Sequence, residues 1–326
     1  MLYRYTRPFY RSDPEDALHY LFFICMGEGD QEDQCRDYVQ EVVLDTRQFS
    51  ALLAEARVER REPGFIYRHA RLICGPHPDV SEFINELVSE LAGKCDKERR
   101  LEDAVHLYNL AGRYNEVVEL IVRKLGESVT RPSAQIKEEA QRVLSFYSRQ
   151  PVIFSHLKKD LMETCKTLVT LVDFFSFAQA GQVDQAIQAI ESTGLLPIGD
   201  RYNNTQLVSG FDSLDHAIKK NFPQIITTTM DLLYALSLKY QNASFADPGR
   251  QKVCCSPFVS SFGFWLNVLF LLLLSFLFLS RCFASQKLAT IKRQATDMVK
   301  FVGGIRNFEL PKEVYAQVNQ RVIMMN

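Results

Sequence analysis

The feature that most constrains the fold is the helical spacing of apolar residues through most of residues 1–240. Apolar side chains recur three and four positions apart, and few stretches alternate with the period of two that a strand needs. Two helix starts are marked clearly, one where Asp13 precedes Pro14 and one where Asp79 lies three residues before Glu82. The spacing therefore predicts an all-α chain.

Glycine and proline residues mark the predicted helix ends. The helix that starts after Asp79 is predicted to stop at Gly93. Two separate helices are predicted near 207–220 and 223–240, and a closing amphipathic helix over 287–302 is predicted to end at Gly303.

The most informative local pattern is a helix, a tight corner and a second helix over residues 101–125. Ala111 and Gly112 form the corner, where a small residue lets two helices approach and glycine tolerates the left-handed conformation. The same pattern recurs around a second corner at Ala180 and Gly181. Helix pairs that repeat loosely predict an irregular α-solenoid of antiparallel helix pairs, and a compact helical bundle is the alternative.

The charge distribution argues against direct binding of nucleic acid. The chain has 38 Lys and Arg against 39 Asp and Glu, a net charge of -1, whereas a dedicated nucleic-acid binder carries a surplus of basic residues. The balance is uneven, because an acidic body over 1–250 is followed by a basic tail over 281–326. The 47% hydrophobic content excludes disorder as the main state.

Motifs for catalysis, cofactors or metals are lacking in the sequence. The eight cysteines include no Cys-x-x-Cys pair, and the six histidines include no pair four residues apart, so neither a metal site nor a cofactor is predicted. No serine lies in a Gly-x-Ser-x-Gly elbow, and Gly27 and Gly29 lack the context of a phosphate-binding loop. The sequence predicts free thiols in a reducing compartment and a protein that is not an enzyme.

Four segments, in the same order along the chain, resemble the nucleoporin interacting component family of inner-ring scaffold nucleoporins. They are Leu2-Tyr3-x-Tyr5-Thr6-Arg7 with Asp13-Pro14-x-x-Ala17-Leu18-x-Tyr20; Leu107-Tyr108-x-Leu110-Ala111 with Val117-x-Glu119-Leu120; Ala186-Ile187 leading to Leu195-x-Pro197; and Ile291-x-x-Gln294-Ala295 through Phe301-Val302-Gly303. The resemblance covers most of 1–240 and begins again near 287.

The resemblance implies the C-terminal part of a longer α-solenoid that braces the inner ring of the nuclear pore and has no catalytic activity. It implies a location at the nuclear pore complex in the nuclear envelope, and a role in pore assembly and in the transport of protein and mRNA. The implied partners are other inner-ring and linker nucleoporins. Partner-binding residues stay unassigned, because solenoid interfaces leave no short signature in a sequence.

An uncharged run of 28 residues over 253–280 departs from the family resemblance. Val259 to Leu279, with Trp265 inside it, would span about 30 Å as a helix, enough to cross a bilayer. Basic residues flank both sides, so the pattern sets no orientation. The alternative is a retained intron, because residues 269–280 contain only Leu, Phe and Ser, which pyrimidine-rich codons encode.

These observations predict three segments and leave three functions open. The segments are an α-solenoid over 1–252, an apolar insertion over 253–286, and a closing helix with its tail over 287–326. The leading prediction is a structural constituent of the nuclear pore. The alternatives are a membrane-anchored helical protein of the nuclear envelope, and a helical-repeat adaptor of another complex such as a vesicle coat.

Overall fold

A computed structural model describes residues 5–25, 31–53, 63–73, 79–199, 202–245, 263–305, 308 and 310–325. Every regular element in these ranges is a helix, which confirms the all-α prediction. The first eight are α1 (Pro14–Cys25), α2 (Gln31–Thr46), α3 (Phe49–Leu53), α4 (Phe65–Ile73), α5 (Val80–Lys97), α6 (Leu101–Leu110), α7 (Tyr114–Ser128) and α8 (Ala134–Ser148). They are followed by α9 (Pro151–His156), α10 (Lys159–Gln179), α11 (Val183–Thr193), α12 (Asn204–Phe211), α13 (His216–Phe245), α14 (Gly263–Gly304) and α15 (Lys312–Met325).

The two helix starts predicted from capping residues are confirmed. α1 begins at Pro14, and the amide of Asp16 donates to Asp13 Oδ1 at 3.1 Å. α5 begins directly after Asp79, whose Oδ1 accepts from the amide of Ser81 at 2.8 Å. Both carboxylates bond an amide that has no partner within its own helix.

The predicted stop at Gly93 is wrong, because α5 continues to Lys97. Cys95, beyond the glycine, is fully buried, and burying such residues offsets the cost of about 1 kcal/mol for glycine inside a helix. The helix ends instead where Arg99 adopts φ 62° and the amide of Arg100 donates to Cys95 O at 2.8 Å.

The predicted break before Pro223 and the predicted stop at Gly303 are also wrong. α13 passes through Pro223 without ending, since Phe222 and Ile225 on either side of it are fully buried. The closing helix is part of the 42-residue helix α14, which includes Gly303 and continues unbroken through positions 286 and 287.

The chain divides into two compact units. The first unit contains residues 1–121 and 142–162, and the second contains 122–141 and 163–326. The chain passes from one unit to the other inside α7, α8 and α10. The division into 1–252, 253–286 and 287–326 stays a prediction.

In the first unit, the helices α5 and α6 pack together through their apolar faces. α5 contributes Phe83, Leu87 and Leu91, and α6 contributes Ala104 and Leu107, all of them buried.

Arg100 fixes the start of α6 in the first unit. Its guanidinium donates through Nη2 to Leu44 O at 3.0 Å, and through Nε to Asp103 Oδ2 at 2.7 Å. These bonds tie α6 to the last turns of α2.

In the second unit, α13 packs against both α14 and α15. Phe222 of α13 lies between Phe211 and Phe301, with ring centroids 4.7 and 6.1 Å away. At the α15 contact, Arg321 Nε donates to Asp231 Oδ1 at 2.8 Å. Apolar packing and the ion pair between Arg321 and Asp231 therefore contribute to holding these three helices together.

A glycine contact brings α7 and α13 close together in the second unit. A Cβ added at Gly126 would lie 2.8 Å from Ala217 Cβ, closer than two carbon atoms can pack. At the same crossing, Asn221 Nδ2 donates to Gly126 O at 2.7 Å. The missing side chain of Gly126 is therefore what allows these two helices to meet.

Candidate interaction surfaces

Ala111 and Gly112 lie directly after α6, at the corner that leads into α7. Gly112 has φ 71°, a left-handed conformation. The amide of Arg113 donates to Tyr108 O at 2.9 Å, and the amide of Gly112 donates to Asn109 O at 3.1 Å. This pair of hydrogen bonds is the Schellman motif, which satisfies the last carbonyl groups of a helix.

Ala180 and Gly181 lie in the same way between α10 and α11. Gly181 also has φ 71°, and the amides of Gln182 and Gly181 donate to Phe177 O at 2.9 Å and Ala178 O at 3.1 Å. A Cβ added at Gly181 would meet nothing within 4 Å. Glycine is therefore favoured here by the backbone conformation alone. The two corners belong to different units.

Only part of the predicted membrane segment falls within the described structure. Val259 lies outside the described residues, while Trp265 and Leu279 lie in α14, whose side chains are described from Cys282 onward. In the part of the chain that the structure describes, no helix is both long and apolar enough to span a membrane.

The buried thiols are held in their protonated form. Burial raises the pKa of Cys95 to about 11 and that of Cys165 to about 12. A thiol acts as a nucleophile or metal ligand only as the thiolate, so both cysteines serve as apolar core residues at neutral pH.

The fold brings together two histidines that are far apart in the sequence. The rings of His19 and His69 have centroids 5.2 Å apart, and His69 Nδ1 lies 2.9 Å from Phe65 O. Among the described residues, no group of three or more His, Cys, Asp or Glu side chains could hold a metal ion. The contact packs α1 against α4.

Asp297 holds a polar network in the second unit. Tyr202 Oη donates to Asp297 Oδ2 at 2.6 Å, and Lys300 Nζ donates to Asp297 Oδ1 at 3.0 Å. Burial would raise the pKa of Asp297, but these hydrogen bonds outweigh it and hold the pKa below its usual value. Burial and the bond to Asp297 raise the pKa of Tyr202 to about 12. The network joins α14 to the segment before α12.

A charged groove of about 510 Å³ lies between α2 and α5 in the first unit. Arg36 bonds both carboxylate oxygens of Glu90, at 3.0 and 2.8 Å, and the buried Gln40 donates to Glu90 Oε2 at 2.6 Å. Small-molecule pockets are usually apolar, whereas this lining is dominated by charged side chains. The groove is therefore suited to polar contacts.

In the described part of the chain, large apolar side chains are exposed in four places that the sequence patterns did not identify, one of them at Phe283 on α14. Tyr5 and Tyr20 lie beside Phe9 near the start, Phe146, Val152 and Phe154 lie around the end of α8, and Leu238, Ile323 and Met324 lie on α13 and α15. Helical spacing reports which residues can share a face but not whether another helix covers it. Exposed apolar groups of this kind mark candidate interaction surfaces.

A family model described as Nup93/Nic96 matches residues 1–317. The chain is 26% identical over 264 residues to Nucleoporin NIC96 of Saccharomyces cerevisiae, covering 75% of this chain and 31% of the yeast protein. It is 28% identical over 260 residues to Nuclear pore complex protein Nup93 of Danio rerio, covering 77% of this chain and 30% of that protein. The chain thus spans about a third of the length of these relatives.

Among solved structures, the crystal structure of Chaetomium thermophilum Nic96 SOL matches with a TM-score of 0.69. The match covers 98% of this chain and 46% of that chain, at 20% sequence identity. At this level of identity the likeness establishes a shared fold.

Proposed function

Because the chain belongs to the Nup93/Nic96 family, we propose that it is a structural constituent of the nuclear pore complex, acting as a scaffold nucleoporin at the nuclear envelope. The observation that carries the proposal is the family match over residues 1–317, which leaves only the last residues outside it. The relatives are named as nucleoporins in fungi and vertebrates. The chain would support nucleocytoplasmic transport and pore assembly by packing and binding, with no catalytic step.

The proposed architecture is an irregular α-solenoid of antiparallel helix pairs. Its support is the pair of matching corners, since Gly112 and Gly181 have the same φ and the same two closing hydrogen bonds. In both places a Schellman corner of three residues separates two helices, and a corner of this length allows the chain to reverse direction. The likeness to the Chaetomium thermophilum structure supports the same arrangement.

Spin-label distances test the second pair. Labels at the exposed positions Lys166 and Ser192, on α10 and α11, would be carried by an unnatural amino acid because the chain has eight cysteines. An antiparallel pair brings these positions to about 10–15 Å backbone separation, whereas a straight helical continuation separates them by about 39 Å. A distribution centred near the longer value would refute the pairing.

The proposed partners are other inner-ring and linker nucleoporins, bound through helix faces and exposed apolar groups. The support is the family membership together with the exposed apolar side chains of both units. Direct binding of nucleic acid is not proposed, because the net charge of -1 offers no surplus of basic residues.

Affinity capture and imaging of the tagged chain, expressed at its natural level, test the function. The chain is expected at the nuclear rim and is expected to recover inner-ring nucleoporins. Recovery of vesicle-coat subunits instead, with no signal at the rim, would refute the proposal and favour the adaptor alternative. Carbonate extraction separates the membrane-anchored alternative, because a scaffold held only by protein contacts is released into the supernatant.

A further inference from the structure

We draw no further inference here: the strongest candidate, the exposed surface patch in the first unit where the rings of Tyr5, Phe9 and Tyr20 pack edge to face, carries nothing because nothing in the structure shows what covers it.

Discussion

Gly126→Ala tests the closest helix contact in the second unit. On an isolated helix this change stabilises, because alanine is favoured over glycine by about 1 kcal/mol. Here the new Cβ would lie 2.8 Å from Ala217 Cβ and 3.4 Å from Ala217 Cα. The substitution is therefore expected to destabilise the unit, against its helix propensity.

The magnitude follows from the separation that the new methyl group requires. Carbon atoms pack at about 3.5–4.0 Å, so α7 and α13 would move apart by roughly 1 Å, or neighbouring side chains would be forced out of place, at about 1–3 kcal/mol. The same movement stretches the 2.7 Å bond from Asn221 to Gly126 O, which costs about 1 kcal/mol more. After subtracting the propensity gain of about 1 kcal/mol, the expected net loss is about 2 kcal/mol.

Urea unfolding followed by circular dichroism measures the effect, with Gly303→Ala as the control. Gly303 lies in a helix of the same unit, and a Cβ added there meets nothing within 4 Å. The control should raise the unfolding free energy by about 0.5–1 kcal/mol. Gly126→Ala should lower it by about 2 kcal/mol, or the Tm by roughly 5 °C. Equal stabilisation by both substitutions would refute the close contact.

Three further predictions concern backbone conformation and charge. Gly181→Ala should lower the unfolding free energy by about 1 kcal/mol through its positive φ alone, and a neutral result in urea unfolding would contradict the left-handed corner. Arg99→Gly should raise the unfolding free energy by about 0.5–1 kcal/mol, since the exposed Arg99 adopts φ 62°; a loss in the same assay would contradict this. Asp297→Asn should destabilise the chain at pH 7. Because the folded pKa of Asp297 is depressed, its stabilisation holds above the unfolded pKa and is lost as the pH falls through the folded pKa. The difference in unfolding free energy between variant and wild type, measured by urea unfolding, should therefore shrink in acid. A constant difference from pH 7 to low pH would show that ionisation of Asp297 contributes nothing to stability.

The helix starts at Pro14 and Val80 could be predicted because their cause is local. An Asp side chain that bonds an amide two or three residues onward needs no distant partner. The corner glycines Gly112 and Gly181 were recognisable for the same reason, since a left-handed residue after a helix strongly favours glycine.

The exposure of the apolar side chains around the end of α8 could not be predicted from the sequence. Phe146 is exposed while the adjacent Tyr147 is fully buried, and both are aromatic residues at the end of one helix. Helical periodicity alone does not settle which of them a neighbouring helix covers.

The sequence alone determined that this chain is helical and where several helices begin, because capping and apolar spacing act within a few residues. Its four matching segments also determined which family it resembles. Only the tertiary structure decided that three helices continue past a residue that locally favours a stop, since Gly93, Pro223 and Gly303 all lie inside helices. Burial of neighbouring side chains, or helix packing beyond the local sequence, outweighs a local cost of about 1 to 3 kcal/mol for glycine or proline. The close approach at Gly126 was likewise decided by packing, because it depends on Ala217 and Asn221 of a helix far along the chain.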